Sequence, residues 1–109
     1  MISSEIRLTE DKNIEMSIGQ SVNISLASNP TTGYQWSIVE ERNDNIVIQD
    51  PEHEYVPDNN SEKLVGSGGT QIFHIKAENK GTALLFFEYS RPWETQPPAM
   101  KISLKIDVV

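Results

Sequence analysis

The clearest feature of this chain is a two-residue rhythm of apolar and polar positions. Val22, Ile24 and Leu26 alternate with Asn23 and Ser25, and Met100, Ile102, Leu104, Ile106 and Val108 alternate with Lys101, Ser103, Lys105 and Asp107. Successive side chains of a strand point to opposite faces, so this rhythm predicts strands with one face on a core. Phe73, Ile75 and Ala77 repeat it, with Ile72 out of step. TALLFFEYS, at 82–90, is apolar on both faces, as expected of a central strand in a packed sheet. YQWSIVE supplies another strand, and EIRLTE with NIEMSIG a broken first one. No stretch sustains a helical period.

Turn signals separate these runs: Gly19-Gln20, Asn29-Pro30 with Gly33, Asn79-Lys80-Gly81 and Pro97-Pro98. The expected order is strand A at about 5–18, B at 21–28, C at 34–40, D within 46–56, E at 70–78, F at 82–90 and G at 100–109. Such a series predicts a single domain over 1–109, all-β, an immunoglobulin-like antiparallel β-sandwich of about seven or eight strands. Trp36 on strand C resembles the core tryptophan of that architecture. The usual cysteine pair between B and F is missing, so packing of Leu26 against Phe87 or Tyr89 would replace it.

Three connections carry residues that a sandwich core does not require. NPTTGY lies between B and C, LVGSGGT between D and E, and SRPWETQPP between F and G. If each strand reverses the one before, alternate connections emerge together, so all three loops should cluster at one end of the sandwich. Pro30 fixes its own φ and Gly33 admits a positive one, which would project the Thr31 and Thr32 hydroxyls from a stiff loop. By itself this loop reads more simply as a turn. Gly66, Gly68 and Gly69 suit a backbone lying against another chain, and equally suit a flexible linker. Trp93, braced by Pro92, is either folded onto the sandwich end or exposed as a contact residue of the type enriched in binding hot spots.

Composition narrows the functions. The net charge of -7, with half of the 16 acidic residues between Glu40 and Glu62, argues against nucleic acid and suits a solvated surface. The absence of cysteine removes disulfides, a thiolate nucleophile and cysteine-based metal sites. His53 and His74 lie far apart and read as surface residues, no catalytic motif appears, and the carboxylates lack calcium-loop spacing, so neither an enzyme nor a cofactor is expected. No basic-then-apolar leader opens the chain and no run approaches the roughly 18 apolar residues of a membrane span. A monomeric cytoplasmic domain is the expectation, with vesicular or secreted locations left open.

Together the three loops resemble the chagasin family of cysteine peptidase inhibitors. That family carries an NPTTGY/F-type B–C loop, a GxGG D–E loop and an RPW/F F–G loop on an immunoglobulin-like sandwich. Here NPTTGY stands at 29–34, GSGG at 66–69 and RPW at 91–93, in that order and without departure from the pattern. The resemblance covers most of the chain and implies an inhibitor of papain-like (clan CA) cysteine peptidases, endogenous or host. It further implies that Asn29, Pro30, Thr31, Thr32, Gly33 and Tyr34 form the loop entering the catalytic groove, with both threonines beside the enzyme's catalytic Cys and His. The Gly66, Ser67, Gly68 and Gly69 backbone would follow the non-primed side, with Val65 or Leu64 near the main specificity pocket. Trp93, held by Pro92, would stack on the primed side, and Arg91 would make polar contacts at its edge. A rival from another class is an immunoglobulin-like adhesion or carbohydrate-binding module that uses the same loops, stacking Trp93 and Tyr34 on a sugar.

Overall fold

The structure is a computed structural model and describes residues 4–49, 54–57 and 68–109. Nine strands run through them: β1 (Ser4–Arg7), β2 (Lys12–Met16), β3 (Ser21–Ser28), β4 (Gln35–Arg42), β5 (Val47–Gln49), β6 (Glu54–Pro57), β7 (Gly69–Ala77), β8 (Gly81–Ser90) and β9 (Met100–Val108). One sheet is ordered β1-β3-β7-β5, with β6 also paired to β7, and the other is β2-β9-β8-β4. The nine correspond to the seven expected strands, A and D each being split in two.

The split of strand A has a consequence for the pairing. β1 joins β3 and β2 joins β9, both in parallel, so the sheets are mixed rather than wholly antiparallel. Because β2 lies in the opposite sheet, the path from β1 to β3 is a crossover, the kind of connection that a parallel neighbour requires. Leu8, between the two halves, is buried, and its N–H donates to the Ser25 carbonyl at 2.8 Å. Strand D is split differently. β5 pairs Val47 with Ala77 and β6 pairs Pro57 with Gly69, so both lie antiparallel along β7 in one direction. They count as one edge strand.

The alternation resolves as the core. Val22, Ile24, Leu26, Val47, Phe73, Ile75 and Ala77 face inward from one sheet; Met16, Trp36, Ala83, Leu85, Phe87, Ile102, Leu104, Ile106 and Val108 face them from the other. Phe73 and Phe87 meet edge to face across the sandwich, with ring centroids 5.5 Å apart. Leu26 and Phe87 are fully buried, so apolar packing occupies the region where a disulfide would otherwise cross. Met100, at the entry to β9, is exposed, because it precedes the packed part of that strand. His74 is half-buried on the outer face of β7, between Asn23 Oδ1 at 2.7 Å and Glu54 Oε1 at 2.8 Å. His53 lies outside the described residues.

Register fixes where the loops emerge. β3 ends at Ser28 and β6 at Pro57, both opposite Gly69 where β7 begins. β4 begins at Gln35, opposite Ser90 where β8 ends. The B–C, D–E and F–G connections therefore leave at one end, as the count of reversals requires. Replacing Phe87 by Ala empties the centre of the core and should cost about 3–5 kcal/mol, a large share of the roughly 5–15 kcal/mol typical of a domain. Urea unfolding monitored by circular dichroism, with the denaturant slope unchanged, checks this.

Candidate functional site

The B–C loop is one turn of 3₁₀ helix, Pro30–Thr32, between β3 and β4. Proline at the first helical position has no N–H to leave unpaired, and asparagine before it caps the turn. Asn29 Oδ1 accepts from the Thr31 N–H at 3.3 Å and from the Thr31 hydroxyl at 2.6 Å. The Asn29 carbonyl accepts from the Thr32 N–H at 3.2 Å and the Thr32 hydroxyl at 2.7 Å. Thr31 and Thr32 are exposed, but their hydroxyl protons are directed back into the loop rather than projected outward. Short hydroxyl side chains readily make such local bonds to the backbone, and a 3₁₀ turn offers the acceptors. Thr32 Oγ1 also receives the Tyr34 N–H at 3.4 Å. Gly33, at φ 84°, closes the turn in the left-handed region that glycine tolerates.

The F–G loop is tied to this turn. Arg91 Nε donates to the Thr32 carbonyl at 3.0 Å, its guanidinium carbon lies 4.4 Å from the centre of the Tyr34 ring, and Nη1 lies 3.5 Å from Glu94 Oε2. Trp93 is 69% exposed, the largest exposure among the large apolar side chains described. Yet its six-membered ring covers Gly33 so closely that a Cβ there would overlap Cη2 and lie 2.9 Å from Cζ2. The two readings of Trp93 are thus reconciled: one edge is docked on the neighbouring loop and the rest of the indole faces solvent.

Beneath the loops runs an aromatic stack. Tyr34 lies on Tyr89 with centroids 5.3 Å apart, and Tyr89 on Trp36 at 4.8 Å. Trp36 is buried, with its indole N–H donated to the Ala27 carbonyl at 2.8 Å. The Tyr89 hydroxyl accepts the Asn29 N–H at 3.0 Å, joining the stack to the start of the loop. Sequence reasoning identifies Tyr89 only as a packing residue; its position two residues after Phe87 places its ring on the inner face, and a phenol there needs a polar partner. Gln71 escapes sequence reasoning altogether. It shares the inner face of β7 with Phe73 and Ile75 and is buried, and a glutamine in step with core residues is the available signal.

The D–E loop is described only at its end. Gly68 lies against β3, where a Cβ would come within 2.9 Å of the Ser28 carbonyl oxygen. Gly69 lies under β6, where a Cβ would overlap the Val56 carbonyl oxygen and sit 2.6 Å from the Tyr55 hydroxyl. Both glycines are therefore required by close backbone approach and not by flexibility alone. Leu64, Val65, Gly66 and Ser67 lie outside the described residues. The structure thus brings together Asn29–Tyr34, Gly68 and Gly69, and Arg91–Trp93 at one end of the sandwich. Among the described residues no cluster of His, Asp and Glu could hold a metal ion.

Comparison with known proteins follows the same lines. The sequence model described as the chagasin family peptidase inhibitor matches residues 15–108. Chagasin from Trypanosoma cruzi is 36% identical over 84 residues, spanning 73% of each chain. Amoebiasin-1 from Entamoeba histolytica is 33% identical over 104 residues, spanning 93% of this chain and 97% of its own. The crystal structure of the cysteine protease inhibitor EhICP2 from Entamoeba histolytica superposes with a TM-score of 0.82 at 22% identity, covering 98% of this chain and 96% of the other.

Two glycines of like backbone separate the roles of strain and contact. Gly19 has φ 88° and open space where a Cβ would project, whereas at Gly33 the same bond would point into Trp93. Gly19→Ala should cost about 1–2 kcal/mol from left-handed strain alone and leave tryptophan fluorescence unchanged. Gly33→Ala should add displacement of Trp93, seen as increased acrylamide quenching, since Trp36, the other tryptophan, stays buried.

Proposed function

Since the chain belongs to the chagasin family of peptidase inhibitors, we propose that it inhibits papain-like cysteine peptidases by filling their active-site cleft with the B–C, D–E and F–G loops. The observation that carries this reading is the joining of the B–C and F–G loops into one preformed ridge, through Arg91 on the Thr32 carbonyl and Trp93 on Gly33. EhICP2, which shares the fold, is itself a cysteine protease inhibitor. The partner is a peptidase of the papain type, endogenous or host.

The geometry explains how such a loop enters a catalytic cleft without becoming a substrate. Peptidases bind substrates extended, with the scissile carbonyl offered to oxyanion-hole donors close to the nucleophile. Residues 30–32 are instead coiled in a 3₁₀ turn. The Asn29 carbonyl is engaged by Thr32 and the Thr32 carbonyl by Arg91, so both ends of the turn resist unwinding. Exposed Thr31 and Thr32 occupy the catalytic centre in this reading, Trp93 packs on the primed side, and the D–E glycines follow the non-primed side. Arg91 acts first on its own loops and reaches the enzyme only from the rim.

Preorganisation supplies the affinity. A loop already in its bound shape avoids much of the ordering cost that association otherwise carries. Protease–inhibitor interfaces of about 1,600 Å² bind tightly or weakly according to this factor and to their central anchors. A sugar-binding module is disfavoured because the Tyr34 ring is already stacked on Tyr89 and covered by Arg91.

Titration of papain with the protein should give reversible, substrate-competitive inhibition near one-to-one stoichiometry; full activity at micromolar inhibitor contradicts the reading. Trp93→Ala should weaken inhibition at least roughly tenfold, mainly through faster dissociation, as interface truncations generally do. Stopped-flow association and dissociation rates test it. Thr31→Ala should lower affinity while the thermal midpoint stays nearly constant, because the lost Asn29–Thr31 bond is exposed.

A further inference from the structure

The two stems of the B–C loop belong to different sheets. Ser28 ends β3 in one, and Trp36 lies at the start of β4 in the other. Their separation sets the span of residues 29–35, and apolar packing between sheets is a poor ruler because it has no direction. Besides the Trp36 indole, which reaches the Ala27 carbonyl, a second buried side chain crosses the gap and holds both stems. Gln71, on β7 and 3% exposed, accepts from the Ser28 hydroxyl at 3.0 Å and from the Trp36 N–H at 2.8 Å on Oε1. Its Nε2 donates to the Trp36 carbonyl at 3.2 Å.

We infer that Gln71 is a positioning residue for inhibition: its amide fastens both stems of the B–C loop and thereby sets how often the free protein presents a binding-competent loop. The inference rests on the inhibitory reading above and adds a residue that no peptidase touches, since its side chain is enclosed in the sandwich. The chemistry is specific to a primary amide. Toward Trp36 it imitates a backbone partner, taking the N–H and supplying the carbonyl with a donor, as a neighbouring strand would. Oε1 has a second lone pair, which the Ser28 hydroxyl uses. A methionine of similar length leaves all three groups unpaired. An ionised glutamate keeps the acceptors but loses the donor and places a charge in the interior, whereas a neutral glutamic acid restores a donor.

The arrangement also extends outward. Trp36 carries the Tyr89–Tyr34 stack and the Ala27 bond, so holding its backbone holds the base of the stack. With the clamp released, the competent fraction of loop conformations falls, and apparent affinity falls by that fraction. The loss should appear chiefly in association, because the free protein must first find the shape. Trp93, by contrast, is expected to act on dissociation.

The test uses papain and the 109-residue chain with three substitutions: Gln71→Met, Gln71→Glu and, as a stability control, Leu104→Ala, a buried core residue midway along β9 and away from the loop end. Gln71→Met should weaken inhibition at least roughly tenfold through slower association and speed amide exchange across 29–36. Leu104→Ala, compared at a temperature where both variants remain folded, should leave the association rate within about twofold. Gln71→Glu should approach wild-type affinity at pH 5, where the buried carboxyl is neutral, and lose it at pH 8. Wild-type association rates for a folded Gln71→Met, or equal slowing by Leu104→Ala, overturn the inference. Should Gln71→Met not fold, Gln71→Glu decides: affinity relative to wild type that does not change with pH overturns it. Failure of the wild-type protein to inhibit papain would instead remove the inhibitory reading itself.

Discussion

To enter a protease cleft and survive, as proposed, the B–C loop must keep a shape the enzyme cannot straighten, and that shape is anchored at Trp36. The indole N–H is bonded to Ala27, the backbone is gripped by Gln71, and the ring supports Tyr89. From Tyr89 the order passes to Asn29 by a hydrogen bond and to Tyr34 by stacking, then through Arg91 to the Thr32 carbonyl. Fixing the backbone of one residue costs about 1–2 kcal/mol, while a single such aromatic or hydrogen-bonded contact contributes about 0.5–1.5 kcal/mol. No one contact can order the loop. Nearly every residue from Asn29 to Tyr34 has its own tie, and the sum, rooted in a rigid sandwich, is sufficient.

This division of labour accounts for the two kinds of sequence in the chain. The strands carry a simple alternation whose purpose is burial, and many apolar residues would satisfy it. The loops carry residues with particular geometry: proline to begin the turn, asparagine to cap it, threonines to close it, glycine to end it under an aromatic ring. Trp93 shows how both demands meet in one side chain. Its inner edge rests on Gly33 while its outer surface faces solvent, so the exposed indole is held in place.

Much of this was legible because it is local. The B strand at 21–28, the clustering of the three loops and the turn at Asn29-Pro30 follow from periodicity and from counting reversals. What escaped is long-range. Tyr89 and Gln71 were on the correct parity for the interior, yet their polar partners are 60 and 35 residues away in sequence, where no periodicity reaches. The break in strand A was visible, but its two halves' assignment to opposite sheets depends on tertiary pairing. Strand D was indistinct because an edge strand needs few apolar residues; β6 is exposed throughout. Stiffness at χ1 suggests threonine hydroxyls that point outward, but the nearby Asn29 acceptors turn both back into the loop.

In the proposed mode of inhibition, the inhibitory surface exists before the enzyme arrives. A crystal structure of the complex with papain, superposed on the free protein, tests it most directly. The backbone of residues 29–34 and 91–93 should move by less than about 1 Å, with Thr31 and Thr32 against the catalytic cysteine and the Arg91–Thr32 bond intact. A B–C loop drawn out into an extended strand, or an enzyme bound away from this end of the sandwich, would contradict it.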